Sequence, residues 1–189
     1  MLICEKGIGN MIIKELPREN YEDYVLNYTY TSDSHYRAEL CEDESGFSFR
    51  FTKEKLPEIL NRDCCDVLFQ PYWSGVTAYG VFEEESSKEP FAVMELAREE
   101  WNNRLVLTQL LVSPEKRGQG VGKQLVELAV KIANEEDFRL ITLETQTCNI
   151  PAIEFYKKCG FKFSGTNLHF YSNDDISENE VMIEMVMLF

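Results

Sequence analysis

Long apolar runs, histidine and paired metal-binding cysteines are all scarce in this 189-residue sequence. No stretch approaches the roughly 20 apolar residues of a membrane-spanning helix, so a membrane partner is not expected. The first ten residues lack a basic start, an apolar segment and a cleavage site, which argues against a secretory signal. Six cysteines stand at 4, 41, 64, 65, 148 and 159 without a C-x-x-C pair, and only His35 and His169 could supply imidazole. That set predicts no metal and free thiols in a reducing, cytoplasmic setting. Linker-like composition is absent too. The expected organisation is one domain over 11–189, with residues 1–10 as a possible appendage. Positive charge is in deficit, with 19 Lys+Arg against 33 Asp+Glu and a net charge of −14. Such a surface repels phosphate backbones, so no nucleic-acid partner is expected, and it attracts a cationic small molecule or basic peptide.

What is present suffices for a folded core, since 44% of the residues are hydrophobic. Residues 11–16 read as a strand, Tyr21 to Asn27 as a short helix, and Phe51 to Asn61 as a second helix. The polar and aromatic stretch 28–50 has no assignment. Val76 to Phe82 and Phe91 to Leu96 read as two strands of a hairpin across the acidic turn 83–90. Leu105 to Val112 follows as another strand. Val121, Leu125, Leu128, Ala129 and Ile132 then recur at helical spacing. Leu140 to Leu143 is a buried strand. A helix capped by Asn149 and closed at Gly160 comes next, and Phe161–Phe163 and Val181–Leu188 close the pattern as strands. A hairpin meander followed by strand–helix–strand–helix–strand predicts a mixed α/β sheet.

The segment from Leu110 to Gly122 carries the most chemistry. A buried strand ends at Val112, a basic glycine-rich turn follows, and an amphipathic helix begins at once. Gly118, Gly120 and Gly122 let the backbone approach a ligand and turn N–H groups toward it. The helix start adds partial positive charge, and Arg117 a charge-assisted contact. The loop suits a pyrophosphate. It lacks the Gly-Lys-Ser/Thr of a nucleoside-triphosphate loop and the acidic ribose partner of a dinucleotide fold.

Arg117-x-x-Gly120-x-Gly122, between its strand and its helix, resembles the acetyl-CoA signature of the GNAT family of N-acetyltransferases. Asn149-x-x-Ala152-x-x-Phe155-Tyr156-x-x-x-Gly160-Phe161 is similar to that family's C-terminal motif. The resemblance covers roughly residues 76–171. It implies an α/β (mixed α+β) GNAT fold. A central, mixed, mostly antiparallel sheet is flanked by helices and splayed between its fourth and fifth strands. It also implies acetyl-CoA as co-substrate. The residues implied to bind it are Leu110, Leu111, Val112, Arg117, Gly118, Gln119, Gly120, Val121, Gly122, Lys123, Asn149, Ala152 and Tyr156.

Acetyl transfer needs an amine stripped of its proton, a polarised thioester carbonyl and a protonated leaving sulfur. The amide of Leu111 or Val112 is the candidate for the carbonyl. In the family, the tyrosine of the C-terminal motif points at the sulfur, which makes Tyr156 the candidate acid. Glu144 begins the same Leu-Glu arrangement, twelve residues before the tyrosine, that ribosomal-protein N-terminal acetyltransferases use for their base. Other members take an acidic residue from the preceding strand, where this sequence has Thr108 and Gln109, which favours Glu144, or a water chain, as the base over a strand-borne carboxylate.

Within the family the chain is most similar to the streptothricin acetyltransferases, through Trp101-Asn102, Arg117-Gly-Gln-Gly120, Leu143-Glu-Thr-Gln146 and Phe155-Tyr156-x-x-Cys159-Gly-Phe161. That resemblance implies a primary amine of a small cationic molecule as acceptor, with Tyr72, Trp73 and Trp101 as candidate pocket aromatics. The alternatives are a peptide or protein N-terminus as acceptor, or an acyl-CoA-binding domain without catalysis. A monomer or homodimer is expected.

Overall fold

The structure is a computed structural model and describes residues 5–6 and 11–189. Its elements run in the order β1 (Glu5–Lys6), β2 (Ile12–Leu16), α1 (Arg18–Tyr21), β3 (Val25–Asp43), β4 (Gly46–Val67), β5 (Thr77–Phe82), β6 (Ala92–Glu99), β7 (Arg104–Val112), α2 (Val121–Glu135), β8 (Leu140–Gln146), α3 (Ile150–Lys158), β9 (Lys162–Asn167) and β10 (Met182–Leu188). Single 3-10 turns at Glu100–Asn102 and Pro114–Lys116 precede β7 and α2. The proposed appendage at 1–10 lies outside the described residues except for Glu5–Lys6, which pair with Ile13 and Ile12 of β2. No helix among the described residues is long and apolar enough to cross a membrane.

The chain divides into two compact units. The first holds residues up to Tyr28, Cys64–Thr142 and Leu188–Phe189, and the second holds Thr29–Asp63 and Leu143–Met187. In the first unit β2, β5, β6 and β7 pair antiparallel in that order. β5 and β6 are buried along almost their whole length, which explains their near-continuous apolar runs. Gly80 in β5 is forced by packing, because a Cβ there would stand 2.8 Å from Leu16 Cδ2. The core gathers Leu16, Leu26, Leu68, Phe69, Ala78, Phe82 and Val93. α2 lies against β6 and β7 and buries Val121, Leu125, Leu128, Ala129 and Ile132, the five positions its spacing predicts.

β7 carries an irregularity close to the candidate site residues. Its register with β6 shifts between Glu95↔Gln109 and Leu96↔Leu107, leaving Thr108 as the extra residue of a bulge. Its parallel ladder with β8 consists of Leu105↔Ile141 and Val106↔Thr142, whereas β7 itself continues to Val112.

In the second unit β10 pairs antiparallel with β9, and β3 and β4 form a two-stranded sheet. α3 contributes Ile150 and Ile153 to a small core with Ile183, against which Tyr36 and Phe51 pack.

Two sequence expectations are corrected. The helix expected over Tyr21–Asn27 is only the turn Arg18–Tyr21, and Asp23 at φ 61° then leads the chain into β3. The helix expected over Phe51–Asn61 is part of the 22-residue strand β4. Leu56, Ile59 and Leu60 imitate a helical stripe. The alternation of Phe47, Phe49 and Phe51 is the stronger signal, and Pro57 suits a strand of a two-stranded ribbon better than a helix interior. The unassigned stretch 28–50 is the rest of this hairpin, which turns at Glu44–Ser45 where the Asp43 carboxylate accepts the Ser45 N–H at 2.7 Å.

Candidate active site

The glycine loop belongs to the first unit. Arg117 is exposed, and its Nε donates to the Val112 carbonyl at 3.0 Å, tying the loop back to the end of β7. Gln119 Nε2 does similar work on the Glu115 carbonyl at 2.9 Å. Gly118 and Gly120 hold φ of 75° and 84°, a region that costs any other residue strain. A Cβ at either would meet nothing within 4 Å, so neighbours do not impose glycine there. Conformation does. Gly120 is the N-cap of α2, and no side chain among the described residues caps the helix. The opening N–H groups over Val121, Gly122 and Lys123 thus face a ligand or water, with the helix dipole behind them. Gln124 Nε2, in the same first turn, is buried without a hydrogen-bond partner among the described residues. Bare donors, left-handed glycines and a basic side chain fit the pyrophosphate of acetyl-CoA.

The strand leading into the loop distinguishes its two candidate amides. The Ser113 N–H donates to the Phe91 carbonyl at 2.9 Å, on the β6 side. Backbone groups alternate along a strand, so the Val112 N–H turns away from β6 while that of Leu111 faces it. Val112 is therefore the better placed amide. Leu110, Leu111 and Val112 are each partly buried.

Upstream, Thr108 and Gln109 each pair with a carboxylate from elsewhere in the first unit. Thr108 Oγ1 donates to Glu95 Oε1 at 2.7 Å, and Glu95 also accepts the Phe69 N–H at 2.6 Å. Gln109 Nε2 donates to Asp66 Oδ2 at 2.6 Å, and Gln109 Oε1 accepts from the Tyr28 hydroxyl at 2.6 Å. Thr108 and Gln109 are not acids themselves, but each is hydrogen-bonded to one. Burial pushes the Glu95 carboxyl up, although the Phe69 amide and Thr108 hydroxyl oppose the shift. Sequence reasoning missed Glu95 and Asp66 because the bulge and the end of β4 bring them to Thr108 and Gln109.

Tyr72, Trp73 and Trp101 do come together. With Arg98, Glu99 and Glu100 they line a cavity of about 350 Å³. It lies at the Arg104 end of β7, six residues before Leu110, or roughly 20 Å at about 3.3 Å per residue. The three aromatics thus stand apart from the loop end of the strand.

The second unit holds the remaining candidates. The Asn149 side chain accepts the Ala152 N–H at 3.2 Å and caps α3, with Pro151 in the first turn. Gly160 at φ 102° ends the helix. Tyr156 is partly exposed, and its ring meets Phe155 and Phe161 at centroid distances of 5.2 and 5.7 Å. Its hydroxyl has no hydrogen-bond partner among the described residues. Desolvation, with a smaller contribution from Cys159, raises its pKa well above the ordinary phenol value, so it stays protonated.

Glu144 is exposed on β8 and accepts a hydrogen bond from the Tyr171 hydroxyl at 3.3 Å. Gln146 Nε2 donates to the same hydroxyl at 2.9 Å. Tyr171 was not singled out from the sequence. It sits in the β9–β10 connection, where no motif marks it.

Comparisons with known proteins bear on the family and the fold. The sequence model of the Acetyltransferase (GNAT) family matches residues 21–161. A streptothricin acetyltransferase of Escherichia coli is 40% identical over 80 residues, covering 42% of this chain and 46% of that protein. The chain spans about half the length of the curated relatives it matches. Among solved structures, a nourseothricin acetyltransferase superposes with a TM-score of 0.70 at 22% identity, covering 95% of this chain and 98% of that one. A Bacillus anthracis protein solved in complex with acetyl coenzyme A superposes with a TM-score of 0.66 at 23% identity, covering 95% and 97%. At these identities the superpositions establish the fold.

Proposed function

This chain belongs to the Acetyltransferase (GNAT) family, and from that premise we propose that it is an acetyl-CoA-dependent N-acetyltransferase acting on a primary amine of a small cationic molecule. The observation that carries the reading is the loop from Ser113 to Gly122, where two left-handed glycines lead into a helix whose first amides no side chain caps. Acetyl-CoA supplies the activated acyl group as a thioester. Gly118 to Lys123 hold its pyrophosphate through backbone amides, and Arg117 adds charge. Leu110 and Leu111 lead to the Val112 amide, which polarises the thioester carbonyl. Asn149 and Ala152 set the start of α3, and Tyr156 presents its protonated phenol to the departing sulfur. Glu144 takes the proton of the acceptor amine.

Acceptor preference for a cation has two supports. The net charge of −14 raises the local concentration of cations, and the relatives include streptothricin acetyltransferases. Streptothricin or a β-lysine-like amine is the first candidate. The aromatic cavity at Tyr72, Trp73 and Trp101 is suited to the far end of a long cationic acceptor, through ring–cation contacts. A peptide amine is the second reading, favoured by Glu144 and its Leu143-Glu144 setting. The test is thiol release from acetyl-CoA over streptothricin, polyamines, aminoglycosides and basic peptides, with the acetylated product identified by mass. Turnover of small cationic amines supports the proposal. Turnover of peptides alone replaces the acceptor, and cofactor binding without turnover of any amine leaves an acyl-CoA-binding domain.

A further inference from the structure

Glu144 and Gln146 lie two residues apart on β8, so their side chains leave the strand on the same face. The phenol of Tyr171 lies on both, at 3.3 Å from Glu144 Oε1 and 2.9 Å from Gln146 Nε2. The direction of this short chain is forced. The Gln146 amide nitrogen can only donate and an ionised carboxylate can only accept, so the single phenolic hydrogen goes to Glu144. Each donor polarises the next.

The tyrosine is placed by a buried anchor. Asp175 is 1% exposed, and its Oδ2 accepts the Tyr171 N–H at 2.9 Å while its Oδ1 accepts the Ser172 hydroxyl at 2.8 Å. Burial would raise the Asp175 carboxyl, yet the Tyr171 and Ser172 donors hold it below the ordinary range. The far end of the connection is fixed as well. Thr147 Oγ1 donates to the Asn179 carbonyl at 2.8 Å and accepts the Val181 N–H at 3.0 Å. Tyr171 is 42% exposed and Glu144 is exposed, so neither needs the other to avoid an unsatisfied buried group. A buried carboxylate and a pinned connection together place the Tyr171 phenol against Glu144.

We propose that Tyr171 is the positioning residue of Glu144, fixing its carboxylate through Oε1 to receive the proton of the acceptor amine. The inference rests on the reading of Glu144 as base. A carboxylate has about four acceptor sites, so the phenol orients it without exhausting it. In the step itself an N–H bond of the acceptor ammonium breaks. The proton passes to the Glu144 carboxylate, and the electron pair stays on nitrogen to attack the acyl carbon. Tyr171 neither gains nor loses a proton. The charged groups bearing on its phenol are Glu144 and Glu180, and burial adds to both in keeping it protonated.

The test is the pH dependence of kcat/KM for wild type, Tyr171→Phe, Glu144→Gln and the double variant, with thermal melts and acetyl-CoA affinity as controls. Removing a donor from a carboxylate disfavours its ionised form. Tyr171→Phe should therefore move the acidic limb to higher pH and lower kcat/KM near neutrality by about tenfold, a fraction of the roughly 10²–10⁴ that a positioned base contributes. It should add nothing on top of Glu144→Gln, since the two act as one unit. Gln146→Leu, which leaves the phenol without its donor, should give a smaller shift of the same sign. A wild-type acidic limb in Tyr171→Phe, or independent losses in the double variant, overturns the positioning role while leaving Glu144 as base. A wild-type limb in Glu144→Gln overturns both.

Discussion

The glycine loop and the Glu144 cluster are built in opposite ways. The loop is backbone chemistry. Its donors are consecutive N–H groups, its shape comes from two left-handed glycines, and its span from Ser113 to Lys123 is continuous in sequence. The cluster is side-chain chemistry. Glu144, Gln146, Tyr171 and Asp175 come from a strand and from a connection about 25 residues later, joined by three directional contacts. A backbone site tolerates change in its side chains but not in its φ values. A side-chain site tolerates a flexible backbone but not the loss of one hydroxyl or carboxylate.

That contrast can be broken most severely at Glu144, the proposed base. Glu144→Gln keeps the shape and removes the charge, so kcat should fall by about 10²–10⁴ near neutral pH. The rate should recover partly at high pH, where the free amine no longer needs a base. A steady-state pH profile checks both. An unchanged profile would remove Glu144 from the chemistry.

Tyr156→Phe comes next, with a loss of about ten- to a thousandfold in kcat and nearly unchanged acetyl-CoA affinity. Its raised pKa adds a sign. The phenol loses its proton only above the ordinary value near 10, so no alkaline fall in rate should arise from Tyr156 below that pH. Single-turnover rates at pH 7 to 10 would show it, and an alkaline limb present in wild type but absent in Tyr156→Phe would contradict it.

A smaller effect concerns the surface. Raising salt to 1 M shortens the Debye length to about 3 Å, so kcat/KM for a cationic acceptor should drop several-fold while a neutral amine of similar size changes little. Equal salt dependence would dismiss the role of the −14 charge.

The smallest expected change is in stability. Glu95 is buried and its folded-state pKa is raised. Its ionised form is therefore disfavoured on folding, and stability falls as pH rises from the ordinary carboxylate range through the raised value. Glu95→Gln should flatten that slope in thermal melts, with Gln still able to accept the Phe69 N–H and donate to Thr108. A steeper decline with pH in the variant would be the wrong sign.

The same contrast explains what could be read from the sequence. β5, β6, β7 and the two longer helices were legible because their periodicity and end signals are local. Asn149 caps α3, Gly160 closes it, and the five apolar positions of α2 are buried. The β3–β4 hairpin was not legible, since each strand's conformation depends on the other and Leu56, Ile59 and Leu60 carry a misleading helical spacing. At the site, Gly118, Gly120 and Arg117 are adjacent in sequence. Tyr171 reaches Glu144 only through tertiary contacts anchored by Asp175. Asp66 and Glu95 reach Gln109 and Thr108 in the same non-local way, which no spacing records.

The most direct test of the account is a calorimetric titration of acetyl-CoA into wild type and Gly120→Val. Valine cannot adopt φ near 84° without strain, although a Cβ there would touch nothing. The variant should therefore lose the amide cradle while keeping the core intact. The account predicts binding to wild type and at least about tenfold weaker binding to Gly120→Val, with unchanged affinity in Tyr171→Phe. Equal affinity in wild type and Gly120→Val would contradict it, because the pyrophosphate would then be held elsewhere.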